Sequence, residues 1–339
     1  MTMLRRFPKD YFILAAVAAA LALLPLVFPL SEFQVSVAVF TLYWALLGTA
    51  WNIMGGYAGQ FSFGHAAYFG LGAYASTVLL INYDLSPWIG MLVGAGLAGV
   101  FGLVTGFLTF RYGLKGPYFT LATFAFAEML RLVSTELEFI NTSIGLHIPL
   151  TEGDSWSALQ FNETPLFFYY AILILMVGGI LVNILIANNK LGYYLQAIRE
   201  DEDAAASLGV NLLRYKTTAV VISAALSALG GSFFVQFFRF IDPSLAFGVS
   251  ISIEILLRPI VGGMGTIWGP FIGAVFLTPL GEATRSFVRT PPEFLNSIEG
   301  RSGVDEMLFG IILILVILYM PDGILGAVQR ITQRIKKLS

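Results

Sequence analysis

Apolar runs of about twenty residues, separated by short polar breaks, recur from Tyr11 to Met320 and constrain this chain more than any other feature. A bilayer core of about 30 Å takes roughly 20 helical residues to cross. It offers no water, so every backbone N–H and C=O must find its partner inside the protein. In order, the runs are 11–30, 35–54, 61–81, 88–110, 117–134, 166–187, 217–239, 245–261, 266–284 and 305–320. The expected fold is all-α: a polytopic transmembrane helical bundle of about ten spans. Runs 61–81 and 245–261 are interrupted by glycine or proline. If those two are bent or partly re-entrant, about eight full spans remain, the alternative count.

Composition removes whole classes of function. Hydrophobic residues make up 57% of the chain and charged residues only 12%, with a mean hydropathy of +0.80. The absence of cysteine excludes disulfides, thiolate metal sites and cysteine nucleophiles. Two histidines leave little for a metal centre, so no metal site is expected. No phosphate-cradling Walker motif is present, so the chain is not expected to bind ATP itself, and neither a cofactor nor a nucleic-acid partner is expected.

Loop charges orient the spans. Arg111 and Lys115 fall on one side with Lys190, Arg199, Arg214 and Lys216, and with Arg330, Arg334, Lys336 and Lys337 of the tail. The loop at about 135–165 falls on the other side; it carries Glu136, Glu138, Glu152, Asp154 and Glu163 and no Lys or Arg. By the positive-inside rule the basic side is cytoplasmic and so are both termini. Arg285, Arg289 and Arg301 run against this scheme, which places them outside. The N-terminal Arg5-Arg6-Phe7-Pro8-Lys9 precedes an apolar run longer than a signal-peptide core, so a retained first helix is expected. In the tail at about 326–339, Val328, Ile331, Ile335 and Leu338 recur at helical spacing among basic residues. That pattern reads as an amphipathic helix on the anionic inner leaflet, or alternatively as a solvated end.

The glycine-dense stretch from Gly55 to Tyr74 lies between two apolar runs. Glycine lets backbones approach closely and also breaks helices, and broken backbone at membrane depth needs protein or a watery cavity to cover it. Gly59, Gln60, Ser62, Gly64 and His65 are therefore candidates for a pathway wall or helix break; a packing seam without solute contact is the other reading. Gly262, Gly263 and Gly265, followed by Gly269-Pro270, form a weak internal echo of it. Transporters are often built from repeats with interrupted helices in matching positions. His65 is a candidate proton gate or a backbone-bonded core histidine. Glu128 with Arg131 and Glu254 with Arg258 have the spacing of ion pairs on one helix face, structural or pathway-lining.

The segment at about 188–216 holds Arg199-Glu200-Asp201-Glu202-Asp203-Ala204-Ala205-Ala206-Ser207-Leu208-Gly209. Alanines favour helix, acidic residues suit its N-terminal half, and Gly209 is a natural stop. A short, small-faced helix of this kind suits a groove on another protein; a solvated connector is the alternative.

Asp203-Ala204-Ala205, three residues, then Gly209 resembles the EAA loop of ABC importer permeases, with Asp in place of the first Glu. Further segments agree. They are Gly64-His65-Ala66-Ala67-Tyr68-Phe69-Gly70-Leu71-Gly72-Ala73-Tyr74, Gly116-Pro117-Tyr118-Phe119-Thr120-Leu121-Ala122-Thr123, Gly262-Gly263-Met264-Gly265-Thr266-Ile267-Trp268-Gly269-Pro270 and Met320-Pro321-Asp322-Gly323-Ile324-Leu325-Gly326. From about residue 35 to 326 the chain resembles the permeases of branched-chain amino acid ABC importers, LivM-type rather than LivH-type. The resemblance implies one transmembrane permease domain over 1–339 in a bacterial cytoplasmic (inner) membrane. It implies a non-enzymatic subunit forming half of a translocation pathway. Its implied partners are a homologous LivH-like permease, two cytoplasmic ATPase subunits and an external solute-binding protein. The segment from Arg199 to Gly209 would be the ATPase-coupling loop. Departures bear on the solute: Asn141-Thr142-Ser143-Ile144-Gly145-Leu146 stands where the family has a Thr-Gly-Gly turn, and Arg258 where an apolar residue is expected. Relatives of this architecture carry urea, short amides or other amino acids. The rival class is a stand-alone ion-coupled carrier with His65, Glu128 and Glu254 as its relay; a membrane enzyme is more distant, since no nucleophile–base or metal-ligand set is visible.

Overall fold

The computed structural model describes residues 7–140, 142–150, 153–290 and 303–338. Arg5, Arg6, Asn141, Glu152 and Arg301, and the tail side chains Ile331, Arg334, Ile335, Lys336, Lys337 and Leu338, which figure in the reading above, lie outside what is described.

Each apolar run is helical over most of its length, with 61–64 and 266–268 irregular and run 245–261 broken at Gly248. Helix α1 is Phe7–Val27, α2 is Glu32–Trp51 and α3 is His65–Tyr83. Helices α4 (Pro87–Arg111) and α5 (Pro117–Glu136) follow, and after a long connection α6 (Leu166–Ala187). Two short helices, α7 (Lys190–Glu200) and α8 (Glu202–Ser207), lead into the long α9 (Leu212–Phe238). The chain closes with α10 (Pro243–Phe247), α11 (Val249–Gly262), α12 (Gly269–Arg289), α13 (Val304–Tyr319) and α14 (Gly323–Leu338).

Among the described residues, six segments are long and apolar enough to cross a membrane: Lys9–Val27, Glu32–Tyr57, Pro87–Arg111, Leu166–Ala187, Leu212–Phe238 and Pro243–Gly262. The bent pair Val304–Tyr319 and Gly323–Arg330 raises the figure to seven. The expected ten is thus an approximate count. The shortfall has a physical cause. Helix α3 carries His65, Ser76 and Thr77, all fully buried, and is sheathed by protein rather than lipid. Helices α5 and α12 carry the pairs Glu128–Arg131 and Glu282–Arg285, which lower their apolar character.

The helices pack through small residues. A side chain at Gly72 would overlap the backbone of Ala228, and one at Gly231 the carbonyl of Phe69, so α3 and α9 cross at near-backbone contact. Ser232 on α9 seals this crossing by donating to the Gly72 carbonyl at 2.8 Å. This part of the glycine-dense stretch is a packing seam. A cluster of buried aromatics, Tyr43, Phe168 and Phe233 among them, fills the space between α2, α6 and α9. Outward faces of α4, α5 and α13 expose Leu92, Leu121 and Leu318, as lipid-facing helices do.

The bundle has two distinct ends. One gathers α7, α8, the α4–α5 turn and the glycine breaks after α2 and α11. The other carries the connection after α5, where β1 (Leu146–His147) pairs antiparallel with β2 (Phe240–Ile241). Trp88 at the start of α4 donates its indole N–H to the Trp156 carbonyl there, at 2.7 Å. The described acidic residues of the connection and the basic residues around α7 and α8 therefore lie at opposite ends.

Candidate functional site

The α2 helix does not simply stop at Trp51. It widens into a π turn over Asn52–Tyr57 before the chain reverses at Gly59, whose φ is +67°. A π turn frees backbone groups, and here side chains from distant elements take them up. Asn52 is fully buried. Its amide donates to the Thr266 carbonyl at 2.9 Å and accepts from the Gly265 N–H at 2.8 Å. The two glycine breaks that echo one another in sequence are thus pinned together in space.

Arg199, at the end of α7, completes the junction. Its Nη1 donates to the Gly56 carbonyl at 2.7 Å. A Cβ at Gly59 would lie 3.0 Å from the Arg199 Cγ, and one at Gly265 would collide with the guanidinium. Both positions have positive φ, so glycine is required twice over, by backbone conformation and by the arginine.

The chain then breaks at Asp201 instead of continuing as one helix. Asp201 is extended (φ −157°, ψ 112°), and its carboxylate accepts from the N–H groups of Asp203 and Ala204, each at 2.9 Å. An N-cap this favourable starts a new helix, which is why the single expected helix is two. Glu200, Asp201 and Asp203 are exposed. Glu202 turns inward and is the hub of the end. Its carboxylate lies 2.5 Å from the Lys216 ammonium and 3.5 Å from that of Lys115, and accepts from the Gln60 amide at 3.0 Å. Lys115 also bonds Asp203 at 3.0 Å; that bond and the Glu202 charge hold its pKa above the ordinary lysine value. Lys216, expected as a loop charge, is only 3% exposed and lies 4.8 Å over the Phe110 ring. Ala205 is buried, whereas Ala204, Ala206 and Leu208 face outward, Leu208 with 86% of its surface exposed. Gly209 terminates the turn at φ +85°.

Deeper in the bundle, Ser62 accepts from the Gly64 N–H at 3.0 Å and its carbonyl takes the Trp51 indole N–H at 3.0 Å. His65 is fully buried and shares a 2.8 Å hydrogen bond with Ser223, whose hydroxyl donates to the Ala50 carbonyl. Ser223 has one proton and gives it to Ala50, so His65 donates through Nε2. Glu128 receives a two-pronged bond from Arg131, at 2.9 and 3.0 Å to Nε. Glu254 is paired with Arg258 one turn on. Among the described residues no hydrogen bond links His65, Glu128 and Glu254 to one another; their partners are Ser223, Arg131 and Arg258. Gly262 and Gly263 lie at the end of α11, where a side chain on Gly262 would overlap the Gly269 carbonyl.

Arg258 is 4% exposed, 4.2 Å from the Trp44 ring, and forms part of the floor of a cavity of about 560 Å³ between α2, α9, α11, α12 and α13. Neither Asn52 nor the burial of Lys216 was read from the sequence, nor were Tyr43, Trp44 and Thr278 as lining of this cavity. For Asn52 a signal existed: it is an amide inside an apolar run, one turn from a glycine pair.

Comparison with known proteins bears on what this architecture serves. The family model described as "Branched-chain amino acid transport system / permease component" matches residues 33–318. The chain is 27% identical over 319 residues to the high-affinity branched-chain amino acid transport system permease protein LivM of Escherichia coli (strain K12), covering 88% of this chain and 71% of that protein. It is 24% identical over 298 residues to the corresponding LivH of Salmonella typhimurium, covering 84% of this chain and 91% of that protein. A probable LivM of Methanocaldococcus jannaschii is 22% identical over 330 residues, 88% of this chain and 94% of that protein. No solved structure matches the chain significantly. These relatives are permease components and not enzymes. With its apolar helices and a family match over most of its length, this chain is a multi-pass membrane protein that belongs to the permease components of branched-chain amino acid transport systems.

Proposed function

We propose that the chain is one of two homologous permease subunits of a binding-protein-dependent ABC importer for branched-chain or related amino acids. The end bearing α7 and α8 faces the cytoplasm, and both termini with it. Two ATPase subunits dock there, and a solute-binding protein docks at the opposite, acidic end. The membrane is the cytoplasmic membrane of a bacterium. The permease pair named LivM and LivH among the relatives supports a two-subunit pathway, of which this chain forms half.

One observation carries this reading. Helix α8 turns Ala204 and Ala206 outward, and its C-cap residue Leu208 with them, while its inner face is fixed by Glu202, Gln60 and Lys216. An exposed leucine beside small residues on a braced short helix is a plug for a groove on a partner. Directly behind it, Arg199 touches both glycine breaks. A push on α8 is thereby delivered to the two places where the membrane helices are interrupted. ATP-driven closure of the ATPases supplies the push, and movement at the breaks alternates the access of the pathway. The same architecture in relatives carrying urea or short amides leaves the solute to the external binding protein.

The test uses the fact that the chain contains no cysteine. Leu208→Cys creates a single thiol, and a short thiol–amine cross-linker applied to membranes should join it to the ATPase subunit encoded with this chain. A cross-link only to lipid or solvent-quenched thiol, with the ATPase present, would remove the coupling role from α8.

A further inference from the structure

We propose that the outward stripe of α5 through Ala125 and Glu128, with the neighbouring face of α11, is a wall of the water-filled pathway between this chain and its homologous permease. The inference rests on the two-subunit reading above and adds which face of the chain the pathway follows. Helix α5 exposes Leu121 as a lipid-facing helix does. On the same stripe, one and two turns further on, stand Ala125 and Glu128. Glu128 lies 11 residues from Pro117 and 8 from Glu136, the two ends of α5. It is therefore near the middle of the helix, about 16 Å from its start. Glu128 and its partner Arg131 keep 36% and 27% of their side-chain surfaces open. Phe119, two and a half turns before Glu128 and so on the opposite flank, stacks on Phe110 of α4, which turns the pair away from that helix. Charged groups at membrane depth face protein or water, not lipid. The guanidinium decides between those two. Two of its five N–H groups, at Nε and Nη2, go to Glu128, and the other three meet no acceptor among the described residues. Open donors at an accessible surface take water.

The adjoining elements point the same way by a different observation. Helix α5 packs against α10 and α11. The chain breaks between those two at Gly248, which is extended at φ −62° and ψ 141°. Phe247, beside the break, fills the space a side chain at Gly70 would take and stacks on Tyr74. Both partners lie well inside α3, so the break is at membrane depth. No side chain caps the start of α11, and Val249 and Ser250 are exposed there. The first N–H groups of a helix have no carbonyl of a preceding turn to bind. Irregular backbone within a membrane is tolerated only against protein or a water-filled cavity. Ile253, one turn on, continues the exposed face. An ion pair with open donors and an uncapped helix start thus sit on neighbouring elements within the membrane, and one column of water satisfies both.

Because the chain has no cysteine, single thiols report the surroundings of chosen positions. Ala125→Cys on α5 and Ile253→Cys on α11 are compared with two controls. Val100→Cys lies midway along α4, exposed on an uncharged stretch, and Ala127→Cys is buried. Each variant is purified with its homologous permease and the ATPase subunits in nanodiscs. Reaction with the water-borne cation methanethiosulfonate ethyltrimethylammonium is followed by mass, in the nucleotide-free and in the vanadate-trapped state. The reagent consumes thiolate, which forms in water and not in lipid. Ala125→Cys and Ile253→Cys should react at least about tenfold faster than both controls in one of the two states. Rates equal to that of Val100→Cys in both states would return the stripe to lipid and overturn the proposal. Slow reaction in both states, with Ala125→Cys cross-linking to the homologous permease, would make the face a dry subunit contact and also overturn it. ATP hydrolysis on the same samples reports on the importer reading. Active hydrolysis with unreactive thiols overturns the wall alone. Reactive thiols without any hydrolysis leave the wall standing and contradict the importer reading.

Discussion

Arg199 Nη1 donates to the carbonyl oxygen of Gly56 at 2.7 Å, joining residues 143 positions apart in the chain. The same guanidinium occupies the space a side chain at Gly265 would need. One cation at the end of α7 thus fixes the helix break after α2 and the break after α11 at once. Asn52 binds the same two breaks from inside, through Gly265 and Thr266. The interrupted helices are therefore not loose; they are clamped by Asn52 from within the first break and by Arg199 from the end of α7.

Gly265→Ala should expose this dependence. It forces an L side chain into φ +76° and into the Arg199 guanidinium. Backbone strain alone costs on the order of 1–3 kcal/mol. Gly113→Ala is the control, at φ +70° with open space around it, and carries only the strain. Thermal unfolding of the detergent-solubilised protein should fall further for Gly265→Ala than for Gly113→Ala, and uptake should fail only in the former.

Glu202 and Lys216 should show strong coupling in a double-mutant cycle. Lys216 is nearly fully buried, and removing Glu202 leaves its ammonium without its closest anion. Breaking a buried pair costs about 3–5 kcal/mol, and somewhat less here because Glu202 is open enough for water and Lys115 to screen it. Lys216→Met fits the Phe110 face and removes the charge. Glu202→Gln alone should destabilise markedly, and Glu202→Gln/Lys216→Met should recover most of the loss. Unfolding midpoints of the four proteins check this.

The two faces of α8 should respond oppositely. Ala205 is 3% exposed, so Ala205→Arg forces a charge into the packed inner face and should lower the folded yield. Leu208 is 86% exposed, so Leu208→Glu should leave yield and melting unchanged while ATPase co-purification drops. Quantitative immunoblotting of membranes and of the purified complex separates the two effects.

Much of the scaffold was legible in the residues. Most of each apolar run became helix because such residues can satisfy their backbone in a bilayer only that way, the glycine-bearing runs 61–81, 245–261 and 266–284 keeping a break. The charge asymmetry between residues 135–165 and 188–216 became the two ends of the bundle, with α6 (Leu166–Ala187) running from one to the other. The site was less legible. Asp201 reads as one more acid in an acidic helix, yet its capping strength splits that helix in two. Nothing in the spacing of Ala204, Ala205 and Ala206 says which faces inward; the contacts of Glu202 with Lys216 and Gln60 decide it. Lys216 looked like a loop cation because its anion lies 14 residues back, across a turn, and only packing brings them together. The echo between Gly55-Gly56 and Gly262-Gly263 was visible as composition, and Asn52 stood out as an amide in an apolar run one turn from the first pair, but no sequence signal tied Arg199 to either break.

Uptake into proteoliposomes separates an ATP-driven importer subunit from a stand-alone carrier. The chain would be reconstituted alone, with its homologous permease, and with that permease plus the two ATPase subunits and the binding protein, and radiolabelled L-leucine uptake would be followed with and without internal ATP. A permease subunit gives no uptake in the first two preparations and ATP-dependent uptake in the complete one. Robust uptake by the chain alone, driven by an ion gradient and indifferent to ATP, would contradict it.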